Sequence, residues 1–237
     1  MPIRAILFDK DGTLVDIQLT LGPATCDVLR RLSGGERGMF SRLAELTRVD
    51  IVARRLMPEC PVVSEATHVY GRTWAQALGR AYTQEFEREI DRLFLETTLE
   101  HLHPIGDPCA VLSGLKERGY RLGVMTNDAE ANTRAQIQRL GMADPVEFVA
   151  GYDSGFGQKP DAAPVLAFAA SVGVAAGEIA VIGDSPHDLI AAHAAGAVAV
   201  GVLSGPNGAE VLAPHADVLL LSVMNLSGWL CSNAPKG

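Results

Sequence analysis

No apolar run in these 237 residues approaches the roughly 20 that a membrane-spanning helix needs, so no membrane span is expected. Cysteine is scarce: Cys26, Cys60, Cys109 and Cys231 are dispersed, with no C-x-x-C pair. A long chain with few scattered cysteines reads as reduced and intracellular. The apolar run after Arg4 is cut by Asp9 within a few residues, too soon for a signal peptide. The expected location is cytoplasmic. Positive charge is also short, with 20 Lys and Arg against 28 Asp and Glu and a net charge of −8. That excess argues against nucleic acid as the main partner, because phosphate backbones are held by basic patches. It leaves a small anionic substrate open, since a local site can oppose the global charge. No G-x-G-x-x-G follows a strand, so dinucleotide binding is not expected. "GYDSGFGQK" is no Walker loop either: Gln158 separates Gly157 from Lys159, and Pro160 stands where Ser or Thr belongs. Internal repeats and low-complexity tracts are lacking.

What is present is globular. Apolar residues make up 48% and charged residues 20%, enough for a real core in one large domain or two modest ones. Residues 3–8 form a short apolar run, strand-like and buried on both faces by composition. From about Leu19 to Glu100 the pattern turns helical. Met39, Leu43, Leu46, Val49, Ala53 and Leu56 fall at three- and four-residue spacings, which predicts one amphipathic face. A second helical stretch covers roughly Gln84 to His101. After "HPIGDP" (103–108), a Pro/Gly boundary, strands and helices alternate. Strands are expected at 121–126, 147–150, 179–183 and 197–203, with a last one at 216–221 near an edge. Helices are expected near 109–118, 129–140, 162–172 and 187–195. This alternation predicts an α/β fold, a parallel sheet flanked by helices on both faces. The first strand belongs to that sheet, and the helical block is an insertion after it. The expected division is 1–16 with 101–237 as the α/β core domain and 17–100 as the helical domain. The block has 11 Arg, no Lys and 12 acidic residues; the acidic excess sits in the sheet domain.

In an open α/β sheet, ligands bind beyond the carboxyl ends of the strands. There the sequence places Asp9-Lys10-Asp11-Gly12-Thr13, then Thr126-Asn127-Asp128, then Gly183-Asp184-Ser185-Pro186-His187-Asp188. Lys159 lies in the Gly/Pro-rich loop "GFGQKP". Crowded together, Asp9, Asp11 and Asp184 would repel unless a dication sat among them. Hard oxygen ligands beside a phosphate suit Mg²⁺. A Thr hydroxyl, backbone N–H groups and a Lys suit phosphoryl oxygens. Gly12 lets the chain leave the strand sharply. His68, His103 and His187 have no partner at metal-ligand spacing and read as structural or exposed. Asp16 reads as shaping the turn beyond the motif.

The set "DKDGTLVD", "VMTND", "GQKP" and "GDSPHD" resembles the haloacid dehalogenase (HAD) superfamily. Within it, the chain is most similar to the phosphoglycolate phosphatase-like and β-phosphoglucomutase-like branch. The resemblance implies a Rossmann-like sheet with an inserted all-helical cap domain after the first strand. It implies a Mg²⁺-dependent phosphatase of small phosphorylated metabolites, phosphoglycolate leading, working through an aspartyl-phosphate. Asp9 would be the nucleophile and Asp11 the general acid and then base. Thr126 with the Asn127 backbone would hold a phosphoryl oxygen, and Lys159 would stabilise charge on Asp9 and the phosphoryl group. Mg²⁺ would be bound by the Asp9 carboxylate, the Asp11 main-chain carbonyl and Asp184. Asp188 would orient a metal-bound water or Lys159. Lys10 is counted with the phosphate-binding residues; it could point into the cap interface, with a solvent-facing position the plainer reading. Arg37, Arg54 and Arg55 are candidates for a second substrate anion, as bidentate Arg can be, against the plainer reading of solvated helix faces. A phosphonatase is disfavoured because residues 17–100 contain no lysine. A β-phosphoglucomutase-like phosphosugar mutase shares every core motif and stays as an alternative. A non-catalytic phospho-aspartate signalling domain is the alternative of another class; it lacks D-x-D-G-T and the insertion. A monomer or a homodimer is expected.

Overall fold

The computed structural model describes residues 2–232, so the expected core-domain bounds at residue 1 and at 233–237 lie outside the described residues. Strand β1 (Ala5–Phe8) is buried at every position. The insertion follows: α1 (Ile17–Leu32), α2 (Arg37–Thr47), a ribbon of β2 (Val49–Asp50) and β3 (Arg55–Leu56), α3 (Pro61–Ser64), α4 (Thr67–Ala77) and α5 (Gln84–Glu100). The alternating part comprises α6 (Pro108–Glu117), β4 (Arg121–Met125), α7 (Glu130–Arg139), β5 (Phe148–Ala150), α8 (Ala163–Val172), β6 (Ile179–Gly183), α9 (Pro186–Ala195), β7 (Val198–Val202), α10 (Ala209–Leu212), β8 (Val218–Leu220) and α11 (Leu226–Ser232).

Six strands form one parallel sheet in the order β5-β4-β1-β6-β7-β8, with β8 at an edge. A parallel sheet needs apolar side chains on both faces, because the crossover helices cover both. One face packs Ile6, Phe8, Val124 and Ile182 against Leu112, Leu115 and Ile137; the other packs Leu7 and Val181 against Phe168 and Leu189. Register then fixes function. Phe8 lies beside Val124 and Ile182, so the carboxyl ends of β1, β4 and β6 are level. Asp9, Thr126 and Asp184 come within two residues of that level.

The helices of the insertion have their own apolar cluster around Leu29, Leu43, Trp74, Phe86, Ile90 and Phe94. The two chain crossings into this block are hydrogen-bonded to each other. The Asp16 N–H donates to the His103 carbonyl at 2.8 Å, and the Ile105 N–H to the Leu14 carbonyl at 2.9 Å. Asp16 also caps α1, accepting from the Leu19 N–H. The continuous helical face expected from Met39 to Leu56 breaks after Thr47. Arg48 adopts a left-handed conformation (φ 59°), and the Asp50 carboxylate accepts from the Val52 and Ala53 N–H groups to close a turn. Local side-chain bonds of this kind compete with the helix. Val49 and Leu56 are instead cross-strand partners, and Leu46 is exposed.

Candidate active site

Asp9, first past β1, is buried at 3% exposure. Its Oδ1 accepts from the Lys159 ammonium at 2.5 Å, while its Oδ2 is buried without a partner. The same ammonium donates to Asp188 Oδ1 at 2.6 Å. Burial works against the Lys159 charge, but Asp188 and Asp9 outweigh it and hold the ammonium above its ordinary range. Burial pushes the Asp9 carboxyl up to about 7; Lys159 relieves part of that, while Asp188 and Asp11 push it further up. Asp188 reaches this position from the first turn of α9, where its Oδ2 accepts from the Ser185 N–H and hydroxyl. It therefore caps the helix and anchors the lysine at once.

The Lys159 loop is braced by Asn127. The Asn127 side chain accepts from the Lys159 N–H at 3.0 Å and donates to the Lys159 carbonyl at 3.2 Å. This side-chain role is separate from the backbone one that the resemblance implies. Thr126 Oγ1 accepts from the Asp128 N–H, which leaves its hydroxyl hydrogen to donate. Asp11 lines the same cavity, and its Oδ1 is buried without a partner.

A divalent cation fits these residues. Carboxylate oxygens of Asp9, Asp184 and Asp188 lie within 4.8 Å of one another, all buried. Burial, then Asp9 and Asp188, push the Asp184 carboxyl well up. Space around Asp184 is kept by two glycines. A Cβ on Gly12, which sits at φ +90°, would lie 2.3 Å from Asp184 Oδ2, and one on Gly205 would lie 1.8 Å away. The Asp184 carbonyl accepts from Asn207, and the Gly12 carbonyl from Ser204. Ser204 and Asn207 lie just past β7, and polar residues at that strand end were the signal for them.

These groups face a cavity of about 210 Å³. The sheet side contributes Asp9, Asp11, Thr126, Asn127, Lys159 and Asp184, and the insertion contributes Ile17, Leu21, Val62, Tyr70 and Phe94. Three readings change. Lys10 is neither solvent-facing nor part of the cavity lining: it is 1% exposed, bound to Asp11, Asp128 and Gln136, whose oxygens outcompete water for it. His187 does line the cavity. Arg37, Arg54 and Arg55 do not line it; Arg37 and Arg55 are exposed, and Arg54 binds Asp27 and the Pro23 carbonyl.

The family model for haloacid dehalogenase-like hydrolases matches residues 3–196. The chain is 32% identical to a phosphoglycolate phosphatase of Rhodospirillum rubrum, over 99% of this chain and 93% of that protein. It is 27% identical to a phosphoglycolate phosphatase of Neisseria meningitidis, over 99% of this chain and 92% of the relative. Its fold is similar to the crystal structure of a HAD phosphatase from Thermococcus onnurineus, with TM-score 0.68 and 22% identity over 96% and 98% of the two chains. The parallel sheet carries a buried acidic cluster at its carboxyl edge. The chain belongs to the haloacid dehalogenase-like hydrolase family.

Proposed function

We propose that this phosphoric monoester hydrolase cleaves a small phosphomonoester through an aspartyl-phosphate on Asp9, with Mg²⁺ and with phosphoglycolate as the leading substrate. The observation that carries the reading is the Lys159 ammonium held between Asp9 and Asp188, with Asp9 Oδ2 free at a cavity. Asp9 attacks phosphorus, and the ester P–O bond breaks. Asp11 gives the departing alkoxide its proton. Water then attacks phosphorus, Asp11 takes the proton, and the Asp9–phosphorus bond breaks. Covalent catalysis divides one hard displacement into two easier ones. Thr126 and Lys159 bind phosphoryl oxygens, where positioning and electrostatics supply most of the acceleration. Mg²⁺, held by Asp9, Asp184 and the main chain at Asp11, would neutralise charge on the phosphoryl oxygens.

The insertion acts as a cap that closes over the cavity and excludes water. Its lining residues are chiefly apolar, which suits a small leaving group. Among the described residues lining the cavity, His187 and Lys159 alone carry a basic side chain. We assign His187 to the glycolate carboxylate, in place of the arginines. Phosphate release from a panel of phosphorylated metabolites, ranked by kcat/KM, tests the reading. Phosphoglycolate should rank first. Equilibration of a sugar 1-phosphate with its 6-phosphate, without free phosphate, would select the mutase instead, and stoichiometric phosphorylation without turnover the signalling domain.

A further inference from the structure

Lys10 stands between the two aspartates of the first strand end, yet its ammonium serves neither the metal cluster nor the cavity. It meets three oxygens: Asp128 Oδ2 at 2.6 Å, Asp11 Oδ2 at 3.1 Å and Gln136 Oε1 at 3.1 Å. The contacts with Asp128 and Gln136 are hydrogen bonds, and the one with Asp11 is a buried ion pair. The effect on Asp11 is asymmetric. One oxygen is held by Lys10, and the other, Oδ1, is buried with no partner on a side chain that lines the cavity. A carboxyl pinned through one oxygen presents the other in a fixed direction.

The third partner extends the arrangement. Gln136, on α7, is 1% exposed, and its Nε2 donates to Thr98 Oγ1 on α5 at 3.0 Å. The orientation of this amide is forced, since turning it over would set its NH₂ against the ammonium. Thr98 and Phe94, one helical turn apart on α5, both line the cavity from the insertion. A buried chain of polar contacts, Asp11–Lys10–Gln136–Thr98, thus runs from the sheet edge into the helical block. A lysine needed only to neutralise Asp128 would not require the glutamine or the threonine.

We infer that Lys10 is a positioning residue, which sets the carboxyl of Asp11 and, through Gln136 and Thr98, ties that setting to the docking of α5. The inference rests on the acid–base role proposed for Asp11. When the helical block is docked, Gln136 is anchored, Lys10 is held and Asp11 Oδ1 points at the reacting ester. When it lifts away, Gln136 loses the Thr98 anchor that holds its amide, Lys10 is held less firmly, and the acid loses its aim.

The test compares an alkyl phosphomonoester, whose leaving oxygen needs a proton, with an activated aryl phosphate, which leaves without one. Lys10→Met keeps most of the length of the side chain and removes its charge. Its kcat on the alkyl ester should fall about 30-fold or more, within the range set by losing a general acid or base. KM should stay within about threefold, and the aryl-to-alkyl kcat ratio should rise about tenfold. Gln136→Leu leaves the Lys10–Asp11 pair in place and cuts the link to α5. It should shift the same ratio in the same direction, by a few-fold. Equal losses on both esters, or a loss carried by KM, would overturn the inference. If Lys10→Met does not fold, the ratio in Gln136→Leu decides alone. Asp11→Asn is measured alongside. A selective alkyl loss there without one in the two variants removes only the role of Lys10; no selective loss in Asp11→Asn removes the acid–base reading itself, and this inference with it.

Discussion

Asp9 and Asp11 are two residues apart, and each has one oxygen occupied and one free. The occupied oxygen of Asp9 belongs to Lys159 and that of Asp11 to Lys10. This division supports a nucleophile and an acid rather than two metal ligands of one kind. Asp11→Asn should therefore lower turnover of an alkyl ester about 10²–10⁴-fold. It should accumulate phosphorylated Asp9 when fed an activated aryl phosphate and quenched, because water still wants a base. Mass spectrometry of peptide 5–14 reads the label, and label on another residue would refute Asp9 as nucleophile. Asp184 is open to a readout without turnover. A ligand that binds only the folded chain stabilises it by about 2.7 kcal/mol at a hundred times its Kd. Mg²⁺ should raise the Tm of the native protein, and Asp184→Ala should abolish both that rise and the activity; full turnover in excess EDTA would sink the metal assignment. At this scale the sequence was most legible where chemistry forbids alternatives: acidic residues at apolar strand ends have few structural excuses. It was least legible at Lys10 and His187. Whether a lysine turns to solvent or into a polar pocket depends on Asp128 and Gln136, which are more than a hundred residues away.

Each strand delivers its polar end only if the strand itself is seated, and two glycines show the tolerance. Gly123, in β4, lies under Phe168 and Leu7; a Cβ there would come within 2.8 Å of the Phe168 ring and 3.0 Å of Leu7 Cδ1. Gly123→Ala should destabilise the fold by about 1–3 kcal/mol, the usual effect of overpacking, read as a lower denaturant midpoint. Gly205 is a different case, because its neighbour is functional. A methyl there would lie 1.8 Å from Asp184 Oδ2 and 2.6 Å from its Cβ, too deep for a rotamer change to relieve. Gly205→Ala should weaken the Mg²⁺-dependent rise in Tm more than it lowers the Tm of the metal-free protein; the opposite ranking would mean that Asp184 does not hold the ion. The elements themselves were largely readable. Buried parallel strands write themselves as short apolar runs, as at 179–183, and each expected strand end lies within two residues of the one observed. The ribbon at 49–56 was not readable, because its apolar residues also satisfy helical spacing. The Asp50 turn and the left-handed Arg48 decide between the two, and neither contributes to hydrophobic periodicity.

Between the sheet and the insertion, the molecule is joined by two hydrogen-bonded crossings and closed by a few polar contacts. Substrate must enter a cavity lined from both sides, so the proposed cap must lift and return on those crossings. Away from the crossings, where His101 meets Asp27 and His103 meets Thr20, Tyr152 spans the gap beside the Gln136–Thr98 link. Its hydroxyl, in the loop after β5, lies 2.9 Å from Asp91 Oδ2 and 3.1 Å from Glu87 Oε1 on α5, and it can donate to one of them at a time. Both carboxylates have other partners within the insertion, Thr67 for Asp91 and Tyr82 for Glu87. Removing the hydroxyl therefore strands neither of them, and the cost falls on closure rather than on the stability of the insertion. A hydrogen bond to a charged group contributes about 1.5–3 kcal/mol. Partial solvation at this half-buried site places the loss near the lower end, or about a tenfold shift toward the open form. Apparent affinity falls with the fraction of closed molecules when the closed form is the one that binds. Tyr152→Phe should then raise KM for a small phosphomonoester up to about tenfold, while phosphorylated Asp9 still forms at saturation. Small-angle scattering gives the independent check. The native protein should contract when a phosphate analogue and Mg²⁺ are added, and Tyr152→Phe should need more analogue to reach the same radius of gyration. An unchanged radius in the native protein, free and bound, would mean that the insertion is a fixed wall and that substrate enters by another route.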